Sequence, residues 1–370
     1  MGNGESALED ILRPDPLFWR GKRVFLTGHT GFKGAWLACW LDFLQAEVCG
    51  FALAPEAAPN LWELAGLDQR IQSRLGDIRD AAALAEAMVD FKPEIVLHLA
   101  AQSLVHRSYA EPSLTFETNV IGTVNVLEAV RRSPTVRSVV IVTSDKCYEN
   151  REWLWPYRED EALGGYDPYS ASKACAELVV SSWRRSFFAE SRDGGEVALA
   201  SARAGNVVGG GDWARDRLIP DCVRALGRGA AVAIRNPHAT RPWQHVLEPL
   251  CGYLILAERL VKECGVVAEA WNFGPPIEEV WPVSRVVDRI VTLWGGDAAW
   301  MLESANHPHE AGFLAVDATK ARTRLGWRPS LGISETLQWT TDWYKRHLAG
   351  ASAASLVDEQ IDKYHALASH

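Results

Sequence analysis

The sequence predicts an α/β fold built on a doubly wound parallel sheet, with a smaller domain contributed mainly by the C-terminal part. Three observations predict it. Short β-rich runs alternate with helix-like stretches through the N-terminal half, which implies parallel βαβ units. The β-rich runs are apolar without polar alternation, as expected of strands covered on both faces. The first run leads straight into a glycine-spaced turn and a helix.

In chain order, Lys22–Thr27 reads as the first strand, Ala35–Leu44 as a helix and Glu47–Leu53 as the second strand. Arg74–Asp77 reads as a strand end, Ala81–Asp90 as a helix and Ile95–Ala100 as a buried strand. Val120–Arg132 and Ser170–Ser186 are helical in pattern, with strands at Ser138–Thr143 and Glu196–Arg203. The regularity weakens after about residue 206, where Gly209-Gly210-Gly211 opens a region rich in Trp, Pro and Arg. We therefore expect a leader over 1–19, a cofactor-binding domain over 20–205 plus about 241–272, and a substrate-binding domain over 206–240 plus 273–370. The leader is expected to be flexible or loosely docked, and the ligand cleft to lie between the two domains.

Composition narrows the class. A chain of 370 residues that is 48% apolar and 23% charged suits a soluble globular protein with a substantial core. A net charge of −9 argues against general nucleic-acid binding but leaves room for a local basic pocket. The seven cysteines are odd in number and form no CxxC pair, the pattern of reduced thiols in a cytoplasmic protein. The N-terminus has no secretory pattern, and no apolar run approaches the roughly 20 residues needed to span a bilayer. MGNGES superficially fits a myristoylation signal with Ser6 in place, but nothing else points to a membrane. No metal site is expected. Most of the sixteen Trp are expected in the core, with Trp213 and Trp243 as candidates for stacking on a base.

The glycine turn is Thr27-Gly28-His29-Thr30-Gly31-Phe32-Lys33-Gly34. Gly28 permits the tight turn, Gly31 the close approach of backbone to a pyrophosphate, and Gly34 close helix–strand packing. Thr30, Phe32 and Lys33 complete the turn, and the helix N-terminus faces the phosphates with its positive dipole end. This is the Rossmann-type arrangement for a dinucleotide. The acidic residue usual at the end of the second strand is missing; Glu56 is the first carboxylate after Phe51-Ala-Leu-Ala-Pro55. Residue chemistry therefore leaves NAD and NADP both open, with Lys33 able to favour an extra phosphate. Asp77 and Ile78 are expected at the adenine, and Leu99, Ala100, Ala101 and Gln102 along the phosphates and nicotinamide ribose.

Tyr169 and Lys173 lie one helical turn apart on one face. A cation beside a phenol stabilises the phenolate, so Tyr169 is expected to take a proton from a sugar hydroxyl as hydride leaves the carbon. Thr143-Ser144-Asp145-Lys146 ends the preceding strand, where polar groups are costly unless they serve a ligand or a hydrogen-bond network. Ser144 is expected to bond the sugar oxygen, with Asp145 and Lys146 supplying an acid and a base or an electrostatic pair.

Together these stretches resemble the sugar-nucleotide 4,6-dehydratases of the extended short-chain dehydrogenase family. The segments that carry the resemblance are Thr27–Gly34, His98–Ser103, Thr143–Tyr148, Tyr169–Lys173, Ala202–Asn206, His307–Ala311 and Leu325–Trp327, and it extends over about residues 17–345. The glycine and tyrosine motifs are shared by the whole superfamily, whereas Thr-Ser-Asp-Lys-Cys-Tyr is more discriminating. The resemblance implies NAD, with Asn119 and Thr143 among its contacts, and a nucleotide-activated glucose, CDP-glucose foremost. It implies oxidation at C4, elimination of water across C5 and C6, and return of hydride to C6. Asp145 matches the acid that protonates the departing 6-hydroxyl; Lys146 stands where dTDP-glucose relatives have a glutamate base. Such a lysine needs a depressed pKa to act as a base. Ser103, Asn206, Arg217, Leu218, Arg241 and His309 match substrate positions, and Arg241 is the best diphosphate clamp because its fork matches phosphate oxygens. The resemblance also implies a homodimer through the helices near 120–132 and 170–186. A 4-epimerase, which needs Tyr169 and Lys173 but no elimination pair, and a non-catalytic NAD-binding protein are the alternatives.

Overall fold

The structure, a computed structural model, describes residues 12–188, 196–303 and 312–367. Seven parallel strands form the central sheet: β1 (Arg23–Thr27), β2 (Glu47–Ala52), β3 (Gln72–Leu75), β4 (Ile95–His98), β5 (Ser138–Val142), β6 (Ala198–Ala204) and β7 (Ala270–Phe273). Their order is β7-β6-β5-β4-β1-β2-β3, so the chain winds one way from β1 and the other way from β4. That reversal between β1 and β4 is where a doubly wound sheet opens a crevice at its carboxyl edge. The expected strands are all present, with ends that differ by a few residues. The third is the clearest case: β3 stops at Leu75, which leaves Asp77 in the loop beyond it.

Helices cover both faces. On one face α1 (Phe32–Phe43) is buried continuously from Gly34 to Leu41, as its near-absence of polar residues requires. Its tryptophans are packing residues: the Trp36 indole donates to the Gly210 carbonyl at 2.8 Å and that of Trp40 to His365 Nε2 at 2.7 Å. On the other face α2 (Ala81–Phe91), α3 (Gly122–Arg132) and α4 (Pro168–Ser186) supply Leu84, Met88, Val126, Val130 and Val180 to a second cluster. Asp167 caps α4, accepting from the Ser170 amide at 2.9 Å, and Pro168 occupies its first position. This cap fixes Tyr169 in the first turn.

The C-terminal half contributes α5 (Leu218–Leu226), α6 (Leu247–Glu263), α7 (Val283–Trp294), α8 (Ile333–Leu348) and α9 (Ala353–Ala366). Between them run short strand pairs: Val207–Val208 with Gln244–His245, Val232–Ile234 with Trp300–Leu302, and Thr240–Arg241 with Trp281–Pro282. The apolar cluster on the α1 face continues into this half through Ile219, Val223, Val286, Ile290 and Trp343.

Residues 12–19 differ from the expected loose leader. Trp19 is fully buried, and its indole donates to Glu258 on α6 at 2.7 Å. The Asp15 amide reaches the same carboxylate at 2.8 Å, and Arg13 donates to the Tyr364 carbonyl at 3.1 Å. A large aromatic with a satisfied N–H holds this segment against the body. All seven cysteines are free. Among the described residues no helix is long and apolar enough to cross a membrane, and no cluster of three metal-ligating side chains occurs.

Candidate active site

A cavity of about 530 Å³ runs along the carboxyl edge of the sheet and continues under α5 and the short strand pairs. Its floor at one end is the glycine turn. Gly28 has φ +81°, and a Cβ there would sit 2.7 Å from the Ala100 nitrogen. A Cβ on Gly34 would overlap the Gly28 carbonyl oxygen, so both positions require glycine. Gly31 caps α1 without a side chain, leaving the first backbone N–H groups to face the cavity. That cradle fits a pyrophosphate.

Thr27 organises the neighbouring strand end. Its Oγ1 accepts from the Leu99 and Ala100 amides, each at 3.2 Å, and lies 2.7 Å from His98 Nδ1. Burial holds His98 neutral, with its pKa lowered to about 3. Leu99, Ala100 and Ala101 line the cavity, as do Gly28, Thr30, Gly31, Phe32, Lys33, Gly34, Asp77 and Ile78. Asp77 binds the Arg79 guanidinium at 2.6 Å, a pairing that holds its carboxyl below the ordinary range.

Two expected cofactor contacts are not in the wall. Gln102 and Asn119 are buried behind it: Asn119 Oδ1 accepts from the Gln102 amide at 2.8 Å, and Nδ2 donates to Ser172 Oγ at 2.8 Å. Gln102 Nε2 donates to Thr115 at 2.9 Å. These amides are used up in bracing the loop after β4 against α4, which is why they do not face a ligand. Lys33 also differs from expectation. Its ammonium points to the Tyr253 hydroxyl at 3.0 Å, and Lys173, Arg217 and Asp145 are the charges that act on it. Burial lowers it to about 7. It therefore belongs to the reaction end of the cavity and offers nothing to a 2′-phosphate beyond β2. Leu53 lines the wall there, and Glu56 is paired with Arg107 at 2.5 Å.

At the reaction end Thr143, Ser144, Asp145, Lys146, Tyr169 and Lys173 converge. Ser144 Oγ donates to Asp145 Oδ1 at 3.0 Å and accepts from the Lys146 amide at 3.2 Å. Asp145 is 2% exposed, and its Oδ2 has no hydrogen-bond partner. Burial raises its pKa against the opposing pull of Lys146, Ser144 and Arg241. A buried carboxyl with one unpartnered oxygen is suited to holding a proton for transfer. Lys146 is half-buried in the same wall.

Lys173 donates to the Val142 carbonyl at 3.2 Å, and burial lowers its pKa to about 8. Tyr169 stands high: burial pushes it up to about 12, with a Ser144 hydrogen bond pulling the other way. The expected depression of the phenol by Lys173 is therefore not what dominates. Desolvation outweighs the neighbouring charges, and the lysine ammonium is directed at a backbone carbonyl.

At the far end lie Ser103, Asn206, Arg217, Leu218, Arg241 and Trp243. Arg217 bonds Asp212 and Ser103, each at 3.0 Å. Arg241 is buried and donates to the Thr240 carbonyl at 2.8 Å. Arg235, which the sequence reading missed, also lines the cavity and pairs with Asp216 at 3.0 Å and Glu303 at 3.4 Å. It follows the short apolar run Val232–Ile234, so the strand-end logic applied elsewhere would have found it. Trp243 donates to the Trp281 carbonyl at 3.2 Å; Trp213 packs edge-on against Tyr344. His309 lies outside the described residues.

A family model described as GDP-mannose 4,6 dehydratase matches residues 25–268. The chain belongs to that family. Among its relatives, a CDP-glucose 4,6-dehydratase of Salmonella typhimurium is 52% identical, over 95% of this chain and 98% of its own. A dTDP-glucose 4,6-dehydratase of Escherichia coli is 28% identical, over 87% and 92%. The dTDP-glucose 4,6-dehydratase of Streptomyces venezuelae, solved with NAD bound, superimposes with a TM-score of 0.74 at 25% identity, covering 90% of this chain and 99% of its own. A UDP-glucose 4-epimerase of Thermotoga maritima shares the fold, with a TM-score of 0.76 at 21% identity over 88% and 99%.

Proposed function

We propose that the protein catalyses the NAD-dependent 4,6-dehydration of CDP-glucose to CDP-4-keto-6-deoxyglucose, as a hydro-lyase. The observation that carries this reading is the near full-length identity of 52% to a CDP-glucose 4,6-dehydratase. The buried Asp145 beside Tyr169 agrees with it, because a 4-epimerase has no use for an acid at the sugar's 6-hydroxyl.

The glycine turn, Asp77, Ile78 and Leu99–Ala101 would hold the NAD, which when bound accepts a hydride from C4 and returns it to C6. Tyr169 takes the proton of the 4-hydroxyl, and Ser144 holds that oxygen by a hydrogen bond. The resulting ketone acidifies the proton at C5. Asp145 gives its proton to the 6-hydroxyl as it leaves as water, while the C5 proton passes to a base at the elimination site, where Lys146 stands. Arg241 and Arg217 hold the diphosphate, and Asn206, Leu218 and Ser103 border the nucleotide. In this reading the chain divides into a cofactor part over 20–205 plus about 241–272 and a nucleotide-sugar part over 206–240 plus 273–370, and it works as a homodimer. Leu178 on α4, exposed on the face turned from the sheet, favours pairing there.

The test is mass analysis of the product from a panel of nucleotide-glucose substrates supplied with NAD. CDP-glucose is expected to lose one water and gain a 4-ketone. A folded, NAD-loaded protein that leaves CDP-glucose unchanged would sink the proposal. Light scattering is expected to give twice the 40.9 kDa chain mass, and a monomer would remove the dimer from this reading.

A further inference from the structure

Behind the Tyr169–Lys173 pair lies a buried ion pair that the reaction scheme does not use. Tyr169, Lys173 and Glu177 follow at four-residue spacing and so form one stripe along α4. Glu177 is 3% exposed and bonds Arg203 of β6, also 3% exposed, at 2.8 Å. Its other contacts fix it further: Thr143 Oγ1 donates to Oε1 at 2.5 Å, and Ser201 Oγ to Oε2 at 2.7 Å. Arg203 continues the network by donating to the Tyr148 hydroxyl at 2.8 Å, and Tyr148 donates to Asn272 at 2.7 Å.

The placement has consequences for the reacting groups. Thr143 immediately precedes Ser144 and Asp145, and Lys173 donates to the carbonyl of Val142, the residue before it. One carboxylate thus joins the helix that carries Tyr169 to the strand end that carries Ser144 and Asp145. We propose that Glu177, anchored by Arg203, is a positioning residue that holds the Tyr169 helix in register with the Ser144–Asp145 turn and sets a carboxylate one helical turn from Lys173. This inference rests on the proposed dehydratase reading and extends it to residues outside the reacting shell.

The charges facing Lys173 set the sign of the effect. On its own helix stands Glu177. From the turn after β5 comes the Cys147 thiol, from β4 the neutral His98, and from α1 Lys33. Burial is the larger influence and lowers Lys173 to about 8; Glu177 is the first of the groups that raise it. Despite its own burial, Glu177 is held below the ordinary carboxylate range by Arg203, Thr143 and Ser201, so it keeps its negative charge. Without that charge the ammonium loses its main support, and Lys173 gives up its proton at lower pH.

Glu177→Gln alone would leave the Arg203 charge unpaired in the interior, a change that destabilises strongly. Glu177→Gln with Arg203→Met removes both charges and is the working variant; Glu177→Asp keeps the charge. The measurement is the titration of the Lys173 ammonium by NMR in substrate-free protein carrying nitrogen-labelled lysine, with Lys173→Met assigning the signal. The midpoint is expected to fall by on the order of one pH unit in the double variant and by much less in Glu177→Asp. The alkaline limb of kcat/KM on CDP-glucose is expected to move the same way. A folded double variant whose Lys173 titrates at the wild-type pH would overturn the proposal, even with reduced kcat, because a purely structural role lowers activity without moving the titration. The substrate-free titration does not depend on which sugar nucleotide is used. An inert wild type with a shifted midpoint would count against the dehydratase reading alone.

Discussion

At one end of the cavity Tyr169, Lys173, Ser144 and Asp145 are each less than a tenth exposed. They stand on a helix of 19 residues and at the end of a fully buried strand. At the other end Arg217 and Arg235 keep about a third of their side chains in solvent, and Arg235 and Arg241 follow or lie in strands of two or three residues. The two ends face different demands. Proton transfer needs groups whose affinities are shifted by desolvation and whose positions are held rigidly. A diphosphate needs cations with donors in a fork, and it tolerates water. Effects of mutation should therefore fall on turnover at the buried end and on substrate affinity at the solvated end.

The largest effect is expected at Tyr169. Tyr169→Phe removes the only atom that takes the 4-hydroxyl proton while leaving the ring's packing in place. A loss in kcat of about a thousandfold is expected, with NAD and CDP-glucose affinity changed only a few-fold. Steady-state kinetics with separate binding measurements decides it; a raised KM with intact kcat would break the comparison at its strongest point.

Asp145→Asn comes next and separates two steps at the same end. The amide keeps the shape and a hydrogen bond to Ser144 but cannot give up an acidic proton. Dehydration is expected to fall about a hundredfold, while oxidation at C4 persists and shows as NADH absorbance that builds up on adding substrate. The acid form matters for pH as well. Burial raises the carboxyl, so its proton is retained above the ordinary range and is lost only as pH rises through that raised value. Elimination limited by Asp145 therefore declines on the alkaline side. If Asp145→Asn abolished the NADH signal too, Asp145 would be serving the first step, and its assignment as the leaving-group acid would fail.

What the sequence made legible divides along the same line. Strand order of appearance, the glycine turn and the Tyr169–Lys173 pair all rest on local spacing, which a fold of parallel βαβ units turns directly into geometry. Gln102 follows a strand end and so reads as a cofactor contact, and the family resemblance adds Asn119, yet their amides turn inward to bond each other, Thr115 and Ser172. Nothing in their spacing marks that choice; it depends on how the loop after β4 meets α4. Lys33 sits in the glycine turn and so reads as able to favour an extra phosphate, and Tyr253, distant in sequence on α6, draws it elsewhere. Glu177 and Arg203 are individually ordinary, and only the closure of α4 onto β5 and β6 makes them a buried pair. The docking of Trp19 on Glu258 spans more than two hundred residues of sequence and is equally invisible to local pattern.

The smallest effects should come from the solvated end, and there two arginines grade it. Arg241 is 7% exposed and is one of the cations acting on Asp145, so it reaches both the diphosphate position and the reaction end. Arg241→Met is expected to raise KM for CDP-glucose about tenfold or more, since a fork that matches phosphate oxygens is lost from a desolvated site. It should also lower kcat modestly, because Asp145 loses a cation that favours its ionised form. Arg235 is already offset by Asp216 and Glu303 and is open to water, where such pairs are worth about 1 kcal/mol or less. Arg235→Met is therefore expected to change KM by no more than about fivefold, with kcat unmoved. Equal effects of the two variants would mean that burial does not distinguish the nucleotide-end cations. The division between a desolvated reaction end and a solvated binding end would then have to be drawn nearer to Asp145.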